Sequence, residues 1–346
     1  MIIPFIYSEI LVKKHELIPI NKVQSDLVLL LAAIIWGFAF VAQRMGMDFV
    51  GPFTYTAVRF TLGSLVLLPF IYFKTFTNKS QSHKVTGSQV HRVTGSEGHK
   101  VNNFFASLRL RGDGPSQRRK LILLQLLLGL LLFGGISFQQ YGLLYTTAGN
   151  AGFITGFYVV LVPVAGWFLG QKNHFTIWVG VALAIIGLYF LSVRSNFSIN
   201  QGDYYVGVCA LFWTFHVLLV GYIAPRTDPI LTAVIQFIIC SILSWIVAIR
   251  FENIFWESIV KAAWPILYGG VLSVGIGYTL QVVAQQKAHP AYASIILSLE
   301  SVFAVFGGWL ILDEQLSGRM ILGCILMLSG MIFVQLKDLK FLQWKR

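Results

Sequence analysis

The sequence predicts an all-α polytopic membrane protein, with ten transmembrane helices arranged as two inverted five-helix repeats. Three observations lead there. Hydrophobic residues make up 56% of the chain and charged residues only 12%, against about 25% charged in ordinary soluble domains. The apolar segments run to about 20 residues, enough to cross about 30 Å of hydrocarbon at 1.5 Å per residue. The second half of the chain also repeats landmarks of the first, in order.

The candidate helices fall at 27–45, 53–73, 121–146, 150–170, 175–193, 204–223, 229–249, 263–286, 291–312 and 317–336. Turn-forming residues separate them: Gly-Pro at 51–52, TTAGN at 146–150, QKN at 171–173, SNFSINQGD at 195–203, PRTDP at 225–229, His-Pro at 289–290 and DEQLSG at 313–318. With the N-terminus placed in the cytoplasm, the inner segments hold 20 Lys and Arg and the outer segments 5, while Arg59 lies within a span. Without the ten basic residues between Lys74 and Lys120 the count is still 10 to 5. The positive-inside rule therefore predicts cytoplasmic termini and an even number of helices. The same distribution accounts for the net charge of +12 with no nucleic-acid partner. The expected location is a bacterial inner membrane. Cys209, Cys240 and Cys324 are scattered through apolar segments; they give no disulfide framework or zinc spacing and read as small core residues. The opening MIIPFIYSEILVKKHE has neither a basic leader nor a small-residue cleavage site, so no cleaved signal peptide is expected.

The internal repeat is read from landmarks. AAIIWGFAF (32–40) aligns with CALFWTFHV (209–217), placing Trp36 against Trp213. Sixteen residues on, both copies reach a proline, Pro52 and Pro229; eight further, both reach a phenylalanine, Phe60 and Phe237. The offset here is 177. Further along, Gln139 pairs with Gln281, and Gly-Trp at 166–167 with Gly-Trp at 308–309, at an offset of 142; Gly180 and Gly187 pair with Gly323 and Gly330 at 143. Five helices is an odd number, so the second copy enters the membrane in the opposite sense, as in secondary transporters with inverted repeats. The organisation expected is a cytoplasmic segment at 1–26, a first repeat at 27–193, a second at 204–336 and a cytoplasmic tail at 337–346. The fall in offset leaves about 35 extra residues in the first half. They lie in a cytoplasmic loop at about 76–115, where SHKVTGSQVHRVTGSEGHK (82–100) repeats an octapeptide with His83, His91 and His99. Its Thr, Gly and Ser content suits a solvated insertion. Its basic charge could attract anionic lipid, and the glycines give its histidines no fixed geometry for a metal.

QQYGLLYTTAGNAGFITGFYVVLVPVAGWFLG (139–170) resembles the third-to-fourth helix region of EamA-type transporters in the drug/metabolite transporter superfamily. SLESVFAVFGGWLILDEQLSGRMILGCILMLSGMIF (298–333) resembles their ninth and tenth helices. Two motifs differ: the usual Glu-Pro reads Glu300-Ser301, and the usual Gly-Glu reads Leu312-Asp313-Glu314. The resemblance implies ten helices, a central cavity lined by the first four of each half, and the fifth and tenth packed at the periphery.

Polar groups within the bilayer carry the functional reading, because a charge at a helix centre costs at least about 2.5 kcal/mol. Glu300 falls roughly 14 Å from the cytoplasmic edge, close to the midplane. It could bind a proton or a substrate amine, or serve as a paired structural carboxylate. Arg59, roughly 9 Å below the outer edge, could pair with Glu300, hold a substrate carboxylate through its planar fork, or snorkel to the interface. His216, one turn from Trp213, could relay protons or sit as a neutral core histidine. Gln139, Gln140, Gln281, Gln285 and Gln236 are uncharged donors and acceptors suited to a polar or zwitterionic solute, or to helix–helix hydrogen bonding. Trp36 and Trp213 could stack on a ring, gate the cavity or face lipid. The repeat matches Tyr158 to Glu300 and Arg59 to Gln236. Gly152/Gly156 and Gly166/Gly170 are two GxxxG pairs expected to allow close packing, as are Gly180/Gly187 and Gly323/Gly330.

The function expected is secondary transport, as an exporter, of a small polar or aromatic metabolite such as an amino acid. Alternating access between the repeats would drive it, with proton coupling through Glu300. Flipping of a lipid or lipid carrier is the alternative. An intramembrane enzyme is disfavoured because HExxH and GxSxG are absent, and a channel because no ring of like charges is apparent. No cofactor or metal is expected. The partners expected are the solute and the lipid bilayer, with a homodimer left open.

Overall fold

The computed structural model describes residues 21–85, 115–192 and 201–344. These fold into helices joined by short turns, with no strand among the described residues. In chain order they are α1 (Lys22–Gly46), α2 (Pro52–Val85), α3 (Pro115–Gly142), α4 (Ala148–Phe168), α5 (Phe175–Ser192), α6 (Gln201–Ile223), α7 (Pro229–Phe251), α8 (Ala263–Ala284), α9 (Pro290–Ile311) and α10 (Gly318–Trp344). Eight, α1–α4 and α6–α9, contain stretches long and apolar enough to cross a membrane. The apolar parts of α5 and α10, Phe175–Phe190 and Gly318–Val334, are shorter. α2 runs past its expected end into the proposed insertion, and α3 starts ahead of its own. The octapeptides at 82–100 fall on the end of α2 and then outside the described residues.

Local chemistry sets the helix starts. Asn21 accepts from Gln24 N at 2.8 Å while the Gln24 side chain accepts from Asn21 N at 2.9 Å. This reciprocal box starts α1 five residues ahead of the expected 27, by satisfying otherwise orphaned donors. Pro229 and Pro290 occupy first helical positions, where a missing N–H is harmless. His289 caps α9, its Nδ1 accepting from Ala291 N at 3.4 Å. Burial lowers the His289 pKa below its ordinary 6.5. The unfolded chain then takes up the proton more readily than the folded one, so stability is lost as pH falls through about 6.5. We expect the melting temperature in detergent to drop from pH 7.5 to 5.5, with a smaller drop in His289→Asn, since asparagine caps without titrating.

Packing is densest where glycines meet. α5 lies against α10, with Gly187 facing Met327 and Gly323, and Gly180 facing Val334 and Gly330. A Cβ at Gly187 would stand 2.6 Å from Met327 Cγ and 2.7 Å from the Gly323 carbonyl oxygen. The pairs run in opposite directions along the two helices, which are therefore antiparallel. We expect Gly187→Leu to lower the monodisperse yield in size-exclusion chromatography and the melting temperature. Gly207→Ala in α6, where an added Cβ meets nothing within 4 Å, should be neutral or slightly stabilising.

The cores of the other helices close on each other in the same way. α3 packs on α6 and α1 on α8, while α2 crosses α7 at Phe60 and Phe237, whose rings lie 5.9 Å apart. Exposed aromatics mark two ends: Trp167, Phe168 and Phe175 at the α4–α5 turn, and Phe251, Phe255, Trp256 and Trp264 between α7 and α8. Among them Trp167, Trp256 and Trp264 carry the polar edge that favours the membrane–water interface. Cys209 and Cys240 are buried and Cys324 partly so, in line with a packing role. Gly170 departs from expectation. Nothing lies within 4 Å of its would-be Cβ and its φ is +82°, so it turns the chain out of α4 instead of packing a helix.

Candidate functional site

Three irregular helices shape the interior. α4 is helical to Gly156, breaks at Phe157 and resumes at Tyr158. α9 is helical to Leu297, breaks at Ser298–Leu299 and resumes at Glu300. The family's proline is absent at this point, yet the break is present. Serines offer a physical reason, since Ser294 and Ser298 hydroxyls donate back to the Ala291 and Ile295 carbonyls, each at 2.9 Å, and such bonds compete with the helix ladder. The two breaks meet, with Ser301 Oγ donating to the Gly152 carbonyl and Gly156 packed on Ser301. The third irregularity is in α8, where Tyr268–Tyr278 (YGGVLSVGIGY) is wound as a π-helix, a form that recurs at functional sites.

The glycines of that segment admit neighbouring side chains. A Cβ at Gly277 would stand 2.6 Å from Trp36 Nε1, and one at Gly269 would stand 2.8 Å from the Tyr55 hydroxyl and 3.2 Å from Arg59 Cδ. Trp36 Nε1 donates to the Ser273 carbonyl at 3.2 Å, and Tyr55 OH to the Pro265 carbonyl at 2.9 Å. Trp213 packs over Gly135 on α3, where a Cβ would stand 3.3 Å from its ring.

These elements surround a cavity of about 30 Å³, room for about two ordered waters. It is lined by Trp36, Ala39, Phe40 and Gln43 of α1, Arg59 of α2, Gln139 of α3, Tyr158 of α4, Trp213 and Val217 of α6, Ser273, Tyr278 and Gln281 of α8, and Leu297 and Glu300 of α9. None of the described residues of α5 or α10 lines it. Tyr278 is the aromatic centre: Trp213 stacks on it with centroids 5.9 Å apart and planes at 17°, Trp36 lies at 4.6 Å, and Phe60 and Phe237 lie at 6.1 and 6.0 Å.

Both charged residues are buried. Arg59 is 1% exposed and Glu300 5%. They line one cavity without forming an ion pair. Arg59 donates to the neutral Gln43 and Gln140 carbonyls at 3.3 and 3.4 Å, lies 5.2 and 5.3 Å from the Tyr55 and Phe60 ring centroids, and leaves Nε without a partner. It does not snorkel. The Tyr158 hydroxyl lies beside the Glu300 carboxyl without completing a hydrogen bond. Trp213 Nε1, Gln140 Nε2 and Gln281 Oε1 are also buried without partners. Such a concentration of donors and acceptors without partners around a small cavity is unusual, because buried polar groups are otherwise almost always satisfied.

Of the residues singled out from sequence, Glu300, Arg59, Gln139, Gln281, Trp36, Trp213 and Tyr158 line the cavity. Gln140 touches it through Arg59. Gln285 and His216 stand outside the lining: Gln285 donates to the Val217 carbonyl at 3.0 Å, joining α8 to α6, and His216 Nε2 donates to Gln236 Oε1 at 2.9 Å. Gln43, Ser273 and Tyr278 were not singled out. Helical spacing could have found two of them, since Gln43 lies two turns beyond Trp36 and Tyr278 one turn before Gln281.

Comparison with known proteins places this geometry in context. The EamA-like transporter family model matches residues 24–90, 104–193 and 200–336. An uncharacterized transporter of Archaeoglobus fulgidus is 30% identical over 92% of this chain and 88% of its own. The uncharacterized transporter YoaV of Bacillus subtilis is 23% identical over 86% and 91%. A solved crystal structure superposes with a TM-score of 0.66 at 16% identity, covering 91% of this chain and 99% of that one. A chain of membrane-length helices closed around a buried polar cavity, matched by that model over most of its length, belongs to the EamA-like transporter family.

Proposed function

We propose that the protein is a secondary transporter that exports a small polar or aromatic metabolite, such as an amino acid. It works by alternating access between two inverted five-helix repeats, with Glu300 as the proton-coupling group. It sits in a bacterial inner membrane with both termini cytoplasmic. The observation that carries this reading is the pair of buried, opposite charges that line one cavity and do not neutralise each other. A zwitterion supplies what each lacks: a carboxylate for the Arg59 fork and an ammonium for Glu300, with the Trp36, Trp213 and Tyr278 rings against the remainder.

The contacts support the repeat. Trp36 packs on Gly277, and its mate Trp213 packs on Gly135; both pairs are related by the sequence offsets of 177 and 142. Phe60 meets its own mate Phe237, and Tyr158 meets its own mate Glu300. Residues that touch their own equivalents lie near a two-fold axis. The antiparallel Gly180/Gly330 and Gly187/Gly323 contacts fit the same axis.

The test uses inside-out membrane vesicles containing the overexpressed protein, given a labelled mixture of amino acids and nucleosides. The proposal expects uptake of one component driven by an imposed pH gradient and lost when an ionophore collapses it. Uptake that survives collapse removes proton coupling and leaves a facilitator. Vesicles with folded protein and no uptake of any component would overturn the metabolite reading in favour of lipid-linked substrates.

A further inference from the structure

The start of α2 is capped from another helix. Gly51 precedes Pro52 and offers no side chain. The carboxylate of Glu252 takes that place, accepting from Phe53 N at 2.8 Å, Thr54 N at 2.7 Å and Thr54 Oγ1 at 2.6 Å. A Cβ on Gly51 would stand 2.6 Å from Glu252 Oε1 and closer still to the rest of the carboxylate. The glycine is what lets the group sit over the helix end. Pro52 has no N–H and Tyr55 N is held by the Gly51 carbonyl at 2.9 Å, so Glu252 serves the donors that remain.

Two comparisons separate this from ordinary capping. The repeat equivalent of Gly51, at the offset of 177, is Asp228. Asp228 caps its own helix α7, accepting from Leu231 N at 2.9 Å. At the matching place in the first half the cap is supplied by α7 instead. In addition, Glu252 is the residue that ends α7, where a carboxylate opposes its own helix dipole, whereas at the start of α2 it is favoured by it. Its position serves the junction and not the helix that carries it.

The junction lies along one arm of the α2–α7 crossing. Along α7 from Phe237 towards its end come Ser241, whose hydroxyl is 2.7 Å from that of Thr61, then Trp245, whose Nε1 donates to Thr61 Oγ1 at 3.0 Å, then Glu252. Side-chain hydrogen bonds thus run along this seam, beside an apolar cluster of Val50, Tyr55, Ala262 and Ile266 at the same end of α2. Arg59 is about one and a half turns from Thr54 on the same helix, so movement of this end of α2 displaces a wall of the cavity.

We propose that Glu252 is a gate latch: seated on the start of α2, it holds this end of the molecule shut, and its release accompanies opening of the Arg59–Glu300 cavity at that end. The inference rests on the alternating-access reading above.

The test reads accessibility and needs no substrate. Cys209, Cys240 and Cys324 are replaced by alanine and Ser273→Cys, in the cavity wall, reports opening. A membrane-impermeant maleimide is applied in vesicles to each face in turn. The parent should label from both faces, and labelling from one face only would overturn alternating access itself, and the latch with it. Glu252→Ala should raise the rate from the Glu252 face about tenfold, the scale of losing charged hydrogen bonds, and lower it from the other. Glu252→Gln, which keeps a neutral acceptor, should do the same more weakly. Asp228→Ala controls for simple cap loss and should leave the ratio of the two faces unchanged. A parent that labels from both faces, with an unchanged ratio in folded Glu252→Ala or an equal rise from both faces, would overturn the latch and spare the transport reading.

Discussion

Glu300→Gln is expected to reduce gradient-driven uptake in inside-out vesicles about a hundredfold, on the scale of losing one member of a buried charge interaction. The protein should remain folded. Glutamine matches glutamate in size, and no ion pair in the resting arrangement depends on the charge. It shares its cavity with Tyr158, Leu297, Trp213 and Tyr278, none of which requires an anion, and with Arg59, to which it makes no ion pair. The loss would therefore fall on transport and not on assembly. Glu300 opens the second half of a broken helix that crosses the break in α4, so a proton or ammonium arriving there acts where the two halves meet. Counterflow exchange with no pH gradient divides the roles: if Glu300 only carries a proton, exchange survives in the glutamine variant, and if it also holds the substrate ammonium, exchange falls too. Full gradient-driven uptake by a folded Glu300→Gln protein would sink both.

The sequence was most legible where a residue type is costly in a membrane or where a landmark recurs in the second half of the chain. Glu300 and Arg59 were visible because charges within spans are expensive. Trp36 and Trp213 were visible because matched tryptophans identify matched helices, and each does pack on a glycine at an equivalent place. Gly180, Gly187, Gly323 and Gly330 were visible as pairs, and the partner of each pair proved to be the other. Helix ends were less legible. α2 extends to Val85 because nothing in IYFKTFTNKSQSHKV forbids a helix; polar residues stop a hydrophobic pattern without stopping the backbone.

What stayed hidden depends on tertiary contact. Tyr278 reads as one tyrosine in a glycine-rich run, and only the packing of four helices makes it the centre of the aromatic cluster. The π-helical winding has no local signature beyond those glycines. The break before Glu300 could not be read from a missing proline, since serine hydroxyls bend the same place by another route. Gln285 and His216 show the opposite error. Each is polar and close in sequence to a landmark, yet Gln285 is tied to the Val217 backbone carbonyl and His216 to Gln236, and neither side chain lines the cavity. Composition identifies a polar group within the bilayer but not whether its partner is the protein or a solute.

Arg59→Met supplies the second large effect, with opposite signs for function and stability. The guanidinium is 1% exposed and held only by neutral amide carbonyls at 3.3 and 3.4 Å and by two ring faces. A buried charge with no counter-charge is costly, and an apolar side chain of similar volume often restores about 1–4 kcal/mol. The methionine variant should therefore melt higher in detergent, by about 5 °C, while transport falls at least about tenfold through loss of the carboxylate's partner. A substrate analogue lacking its carboxylate should be a poor competitor for the parent and no worse than the full substrate for the variant, because the group it lacks has nothing left to meet. Arg59→Lys should fall between, keeping the charge but not the planar fork. If Arg59→Met instead lowers the melting temperature and leaves transport near the parent level, Arg59 is a structural brace. The unpaired charges in the cavity would then no longer argue for a zwitterion. A chain that keeps an arginine where methionine would make it sturdier is being shaped by what must bind there, and this pair of measurements reads that directly.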